Sequence, residues 1–250
     1  MTLRIIAKLD VKPPYVVKPV HFEGLRKVGK PAELARKYYE QGADEIIYID
    51  IVASLYQREL LVPHIKETSE NVLVPLGVGG GVRNLNDFSS LFHSGADKVL
   101  INTEAVQRSP DLINQASVTF GAQSVVLNIE AKKLPSGTWE CYTDCGRIRS
   151  SRNVLEWVQE AEKRGAGEIV LQSVDRDGRH RGFDLDLIQQ VVNLVDIPVV
   201  AASGAGTLED ILSVAKIPNL GGIAIASLLH YDEYTIEDIR VFLREHGVEV

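Results

Sequence analysis

The chain has 250 residues, 45% of them hydrophobic and 24% charged. That is enough for one large core, and α/β barrels reach this size as single domains. A net charge of −7 argues against a nucleic-acid partner, which would call for clustered basic residues. No apolar run approaches the roughly 20 residues of a membrane span, and the start, Met1-Thr2-Leu3-Arg4-Ile5-Ile6, does not read as a secretory signal. A soluble, cytoplasmic protein acting on small molecules is expected.

In chain order, short β-branched runs alternate with longer amphipathic stretches, the pattern of repeated βα units and a parallel sheet. The first run, Arg4 to Leu9, ends on Asp10-Val11-Lys12. Period-two alternation puts Arg4, Ile6, Lys8 and Asp10 on one face, so an inward orientation would set Lys8 one layer beneath Asp10. A helix is predicted over Pro31 to Gln41, with Leu34, Ala35 and Tyr38 on its apolar side. The second run is Glu45 to Asp50; the third, Val74 to Val78, leads into Gly79-Gly80-Gly81-Val82; the fourth, Lys98 to Ile101, leads into Asn102-Thr103. The fifth, Ser124 to Ile129, ends on Glu130-Ala131-Lys132.

Cys141 and Cys145 follow in a polar stretch. None of His21, His64, His93, His180, His230 and His246 supplies a second ligand pair, so two ordinary thiols in a loop or on a strand edge are expected, with no metal. A second helix is predicted over Val154 to Arg164, through Leu155, Val158 and Ala161. Runs at Glu168 to Gln172, Pro198 to Ala202 and Gly222 to Ala226 bring the total to eight.

The chain also matches itself, which identifies equivalent positions before any chemistry is assumed. Gln41-Gly42-Ala43-Asp44-Glu45-Ile46-Ile47 returns 123 residues later as Arg164-Gly165-Ala166-Gly167-Glu168-Ile169-Val170. Asp10-Val11-Lys12 is echoed by Glu130-Ala131-Lys132, Gly79-Gly80-Gly81-Val82 by Ser203-Gly204-Ala205-Gly206, and Ile101-Asn102-Thr103 by Ile225-Ala226-Ser227. The pattern predicts a single (β/α)8 barrel over 1–250, made of similar half-barrels at about 1–122 and 123–250.

Every repeated polar or glycine motif falls where a strand ends, and in this fold the carboxyl ends of the strands build the active site. Each half is expected to cradle one phosphate on backbone amides and helix N-termini. The first cradle would use Gly81, Asn102 and Thr103; the second Gly204, Ala226 and Ser227, with backbone of Asp177-Gly178. Two such sites imply an elongated substrate with a phosphate at each end, its reactive middle between the equivalent carboxylates Asp10 and Glu130, an acid and base pair. A buried Lys8 ammonium would favour ionised Asp10. At the opposite rim Arg4, Glu45, Lys98 and Glu168 begin strands with balanced charge, a set suited to a ring of salt bridges.

Over essentially its full length the chain resembles the cyclase subunit of imidazole glycerol phosphate synthase, of histidine biosynthesis. The motifs that carry the resemblance include Leu9-Asp10-Val11-Lys12, Val16-Val17-Lys18, Asp50 with Ala53-Ser54, Val78-Gly79-Gly80-Gly81, Gly95-Ala96-Asp97-Lys98-Val99, Ile101-Asn102-Thr103 and Asp175-Arg176-Asp177-Gly178. The resemblance implies a glutaminase partner docked on the bottom rim in a heterodimer, with Asp97 at the interface. Ammonia would pass a gate of Arg4, Glu45, Lys98 and Glu168, and Lys18 would lie on a mobile loop closing over the substrate. It implies no cofactor.

This chain departs from the family's pattern at the centre of the site. Glu130 stands where the family has aspartate, Lys8 where cysteine is common and Gln172 where threonine is; Lys8, Gln172 and Asp50 would line the cavity. Such changes resemble relatives that deliver ammonia to an acetamido sugar to make an acetamidino group for surface glycans, which remains an alternative. The sister phosphoribosyl isomerase and a non-catalytic scaffold are the others; neither calls for a charged gate.

Overall fold

The computed structural model describes residues 2–20, 23–53 and 61–250; His21 and Ser54 lie outside them. Its strands are β1 (Arg4–Lys12), β2 (Tyr15–Val20), β3 (Glu23–Gly29), β4 (Glu45–Asp50), β5 (Leu76–Gly79), β6 (Lys98–Ile101), β7 (Val125–Lys133), β8 (Trp139–Thr143), β9 (Ile148–Asn153), β10 (Glu168–Ser173), β11 (Val199–Ala202) and β12 (Gly222–Ile225). The helices are α1 (Pro31–Glu40), α2 (Val62–Ser69), α3 (Leu85–His93), α4 (Thr103–Gln107), α5 (Asp111–Phe120), α6 (Val154–Lys163), α7 (Leu185–Val192), α8 (Leu208–Ala215), α9 (Ser227–His230) and α10 (Ile236–Glu245).

Eight strands pair in parallel in the order β1-β4-β5-β6-β7-β10-β11-β12, and β12 returns to β1 with Arg4 beside Gly222, closing a (β/α)8 barrel. These are the eight runs read from the sequence. The β-branched runs form strands because both their faces are covered, which favours side chains that pack well on a pleated surface. Alternation along them divides the core in two. Ile6, Ile47, Leu100, Val126, Val170 and Val200 fill the barrel interior. Ile5, Ala7, Leu9 and Val11 of β1 instead face the helical shell, with Ala35 and Tyr38 of α1, Phe88 of α3 and Trp157 of α6. Trp157 is 1% exposed, and its truncation to alanine would cost about 3–5 kcal/mol.

The internal repeat has a local physical basis. Both α1 and α6 stop on a glycine with positive φ, +89° at Gly42 and +100° at Gly165, and the following alanine N–H reaches back to Tyr38 O and Ala161 O. A side chain at the glycine would be strained there, and Ala43 and Ala166 are small enough to tuck into the core before the next strand.

Two hairpins extend beyond the barrel. β1 runs into β2 and β3 with Val11 opposite Val16, and β7 runs into β8 and β9 with Glu130 opposite Tyr142. Lys18, expected on a mobile loop after the first strand, lies in the paired strand β2. Cys141 is a buried residue of β8, whereas Cys145 lies in the turn after it.

Candidate active site at the carboxyl rim

The two anticipated anion cradles line two separate cavities at the carboxyl ends of the strands. The first, about 210 Å³, is bordered by Gly80, Gly81, Asn102, Thr103, Asp50 and Glu130. The second, about 20 Å³, is bordered by Lys8, Lys18, Asp177, Gly178, Gly204, Ala226 and Ser227. Gly81 has φ +75°, and a Cβ there would come within 2.8 Å of the Ala53 Cβ; at Gly204, φ +119°, it would collide with the Gly182 backbone. Only glycine lets these turns approach their neighbours so closely. Asp50 Oδ1 accepts from the N–H groups of Val52 and Ala53, both at 2.9 Å, and so shapes the loop over the first cavity. The Asn102 Nδ2 donates to Tyr142 O at 3.2 Å, while its Oδ1 is buried with no hydrogen-bond partner among the described residues, leaving one end of the amide for a ligand.

In the second cradle the Lys18 Nζ lies 3.4 Å from Asp177 Oδ1, and the Ser203 hydroxyl donates to the same oxygen at 3.3 Å. Lys18 reaches this position from β2, a paired strand.

The two candidate carboxylates, Asp10 and Glu130, are both buried, and Glu130 borders the first cavity. Lys8 and Asp10 form a buried ion pair on the inward face of β1. Burial alone would raise Asp10 and lower Lys8. Each outweighs burial for the other, assisted at Asp10 by Lys18, so the Asp10 carboxyl sits below its ordinary range and the Lys8 ammonium above. Glu130 is different: burial pushes it up to about 7, opposed by the Gly146 N–H, by Lys8 and by the Asn102 side chain. The Gly146 N–H donates to Glu130 Oε2 at 2.7 Å. One carboxylate is thus kept ionised and the other holds its proton near neutrality, the separation that acid and base work requires. Gln172 is not part of either cavity wall; its Nε2 donates to Asn128 Oδ1 at 2.8 Å.

At the amino-terminal rim the four anticipated charges close a cycle. Glu45 accepts from Arg4 and from Lys98, each at 2.7 Å; Glu168 accepts from Lys98 at 2.6 Å and also from Arg4. Each cation meets two anions and each anion two cations, which counters part of the desolvation of nearly buried Glu45 and Glu168; at Glu45 burial still prevails and holds the carboxyl above its ordinary range. Asp97, on the same rim, accepts the Leu76 N–H at 2.8 Å and so orders the start of β5.

Three contributors escaped the sequence reading. Arg83 and Arg108 border the first cavity, held among the described residues by Asp87 at 3.7 Å and Glu104 at 3.2 Å. Cys145 lines the same cavity, its thiol donating to Ile51 O at 2.7 Å. Lone arginines after a glycine run or in a short helix carry no distinctive spacing, so only their place at the rim reveals them. Among the described residues no cluster of His, Cys, Asp or Glu is placed to hold a metal ion, and no helix is long and apolar enough to cross a membrane.

The fold defines a (β/α)8-barrel protein, the class in which the carboxyl rim carries the active site. The chain belongs to the family described as histidine biosynthesis protein, whose model matches residues 4–235. It is 51% identical over 208 residues to the imidazole glycerol phosphate synthase subunit HisF of Legionella pneumophila, covering 83% of this chain and 98% of that one. Against the subunit of the same name from Streptococcus mutans it is 43% identical over 248 residues, covering 99% and 98%. The Thermococcus onnurineus subunit, also HisF by name, is 42% identical over 247 residues, covering 99% and 97%.

Proposed function

We propose that this chain is the cyclase subunit of an imidazole glycerol phosphate synthase of histidine biosynthesis. It would take ammonia from a glutaminase partner. With that ammonia it converts a bisphosphorylated formimino-aminoimidazole carboxamide ribonucleotide to imidazole glycerol phosphate and aminoimidazole carboxamide ribonucleotide. The observation that carries this reading is identity above 40% along nearly the whole chain to relatives bearing that subunit name. Those names lend no support to the isomerase, scaffold or acetamido-sugar readings.

The geometry suits each step. A phosphate enters each cradle, Gly81, Asn102 and Thr103 at one end and Lys18, Gly178, Gly204, Ala226 and Ser227 at the other, which stretches the substrate across the barrel mouth. Asp10, kept ionised by Lys8, accepts a proton from the attacking nitrogen. Glu130, protonated below about 7, delivers one to the leaving nitrogen. Ammonia enters through the ring of Arg4, Glu45, Lys98 and Glu168, crosses the layer of Ile6, Val126, Val170 and Val200, and emerges below Lys8. The glutaminase docks on the ring side as the second member of a heterodimer, near Asp97, and the complex works in the cytoplasm.

Purified protein supplied with ammonium salt should consume the bisphosphorylated substrate, and Asp10→Asn should abolish turnover with an unchanged circular dichroism spectrum. Turnover by the wild type no faster than buffer would refute the assignment; an active Asp10→Asn would refute the role of Asp10.

A further inference from the structure

The turn 144–147, between β8 and β9, is held in an unusual backbone conformation. Asp144, Cys145 and Gly146 all have positive φ, +51°, +59° and +71°. Aspartate and glycine tolerate this region, but a cysteine there is strained and persists only where its surroundings hold it. Three tethers do so, each from a different part of the barrel. The Asp144 N–H donates to Thr103 Oγ1 at 3.3 Å, the Cys145 thiol to Ile51 O at 2.7 Å and the Gly146 N–H to Glu130 Oε2 at 2.7 Å.

The third tether matters because Glu130 is longer than an aspartate by one rotatable bond, and its carboxyl needs an external partner to be fixed in one place. We propose that this turn is the positioning element for the Glu130 carboxyl, and that the thiol bond of Cys145 to Ile51 is the latch that keeps the Gly146 N–H aimed at it. The inference rests on the acid role given to Glu130 above. Lys8 from β1 and Asp144 from the turn are the charged groups acting on Glu130, with the Asn102 amide and the Cys145 thiol beside it. Neither residue is replaced when the latch is cut, and the serine variant restores the donor to Ile51 O, so the alanine and serine variants compared report on the turn that aims the Gly146 N–H. That N–H bonds the ionised form of Glu130; if it swings away the acid stays protonated to higher pH.

The test compares Cys145→Ala with Cys145→Ser, whose hydroxyl can still donate to Ile51 O. In ammonia-dependent turnover, Cys145→Ala should lower kcat on the order of tenfold to a hundredfold. It should also move the alkaline limb of the pH profile upward, and Cys145→Ser should restore both. A wild-type-like Cys145→Ala, a slow one with an unmoved limb, or a serine variant no better than alanine overturns the proposal. Infrared titration of the Glu130 carboxyl in the same proteins separates this from the assigned reaction. An upward shift in Cys145→Ala reversed in Cys145→Ser upholds the latch even if the wild type turns nothing over, and identical titrations in all three sink it.

Discussion

Glu130 and Asp10 are equivalent by the internal repeat and lie in the same interior, yet their surroundings drive them apart. A lysine two residues before Asp10 on the same strand face supplies the compensating charge, whereas Glu130 has the neutral Gly146 N–H and Asn102 amide in direct contact and a more distant share of Lys8. Because Glu130 titrates at about 7 in the fold against 4.5 normally, its ionisation is opposed by the folded state, and the stability it lends below pH 4.5 is lost as pH rises through 7. Glu130→Gln, neutral and of the same shape, should therefore be inactive but more stable than wild type at pH 8, by roughly 2–3 kcal/mol. At pH 4 the two should melt alike. Thermal melts at both values check this; a destabilised variant at pH 8 would count against a strained, buried carboxyl. A second expectation concerns rate. Once the rising fraction of free ammonia is divided out, kcat/KM should fall above about pH 7 as Glu130 loses its proton.

At the scale of elements, the barrel strands were legible because β-branched runs buried on both faces have no other stable arrangement, and their starts matched the structure to within about two residues. The hairpins β2-β3 and β8-β9 were not. Their strands are short, interrupted by Pro13-Pro14 or by polar stretches, and gain their stability from lying along extensions of β1 and β7. That extension decides much of the site, since it carries Lys18 to Asp177 and brings Cys145 and Gly146 over the first cavity. The same cavity is bordered by Arg83, just before α3, and Arg108, just after α4, their side chains 45% and 63% exposed and each tied by one weak local ion pair. Their guanidinium groups can leave those partners for a phosphate at little cost. Arg83→Ala and Arg108→Ala should each raise KM by roughly severalfold to tenfold with kcat within about twofold, and the effect should shrink at high salt. Steady-state kinetics at two ionic strengths measure it; a fall in kcat at constant KM would exclude a binding role.

For the molecule as a whole, the ring at the amino-terminal rim is a closed electrostatic circuit at one end of the axis, with the reacting carboxylates at the other. Lys98→Met would leave Glu45 and Glu168, 3% and 6% exposed, each short of one cation. The loss should be about 3 kcal/mol, or roughly 6–12 °C in Tm for a chain of this length. Calorimetry tests this, and an unchanged Tm would mean that the ring is held by packing alone. The eight strands, the barrel, the two glycine turns and a candidate acid and base could be read from the chain alone, because hydrophobic period, internal repetition and strand-end position are all local or additive signals. Tertiary structure alone decided which charges meet. Lys8 turns to Asp10 rather than Glu130, the four rim charges pair in a cycle, and a turn sixteen residues beyond Glu130 supplies its hydrogen bond. Hydrogen bonds and ion pairs act over a few ångströms in space, and the ring partners Arg4 and Glu168 lie 164 positions apart in the chain.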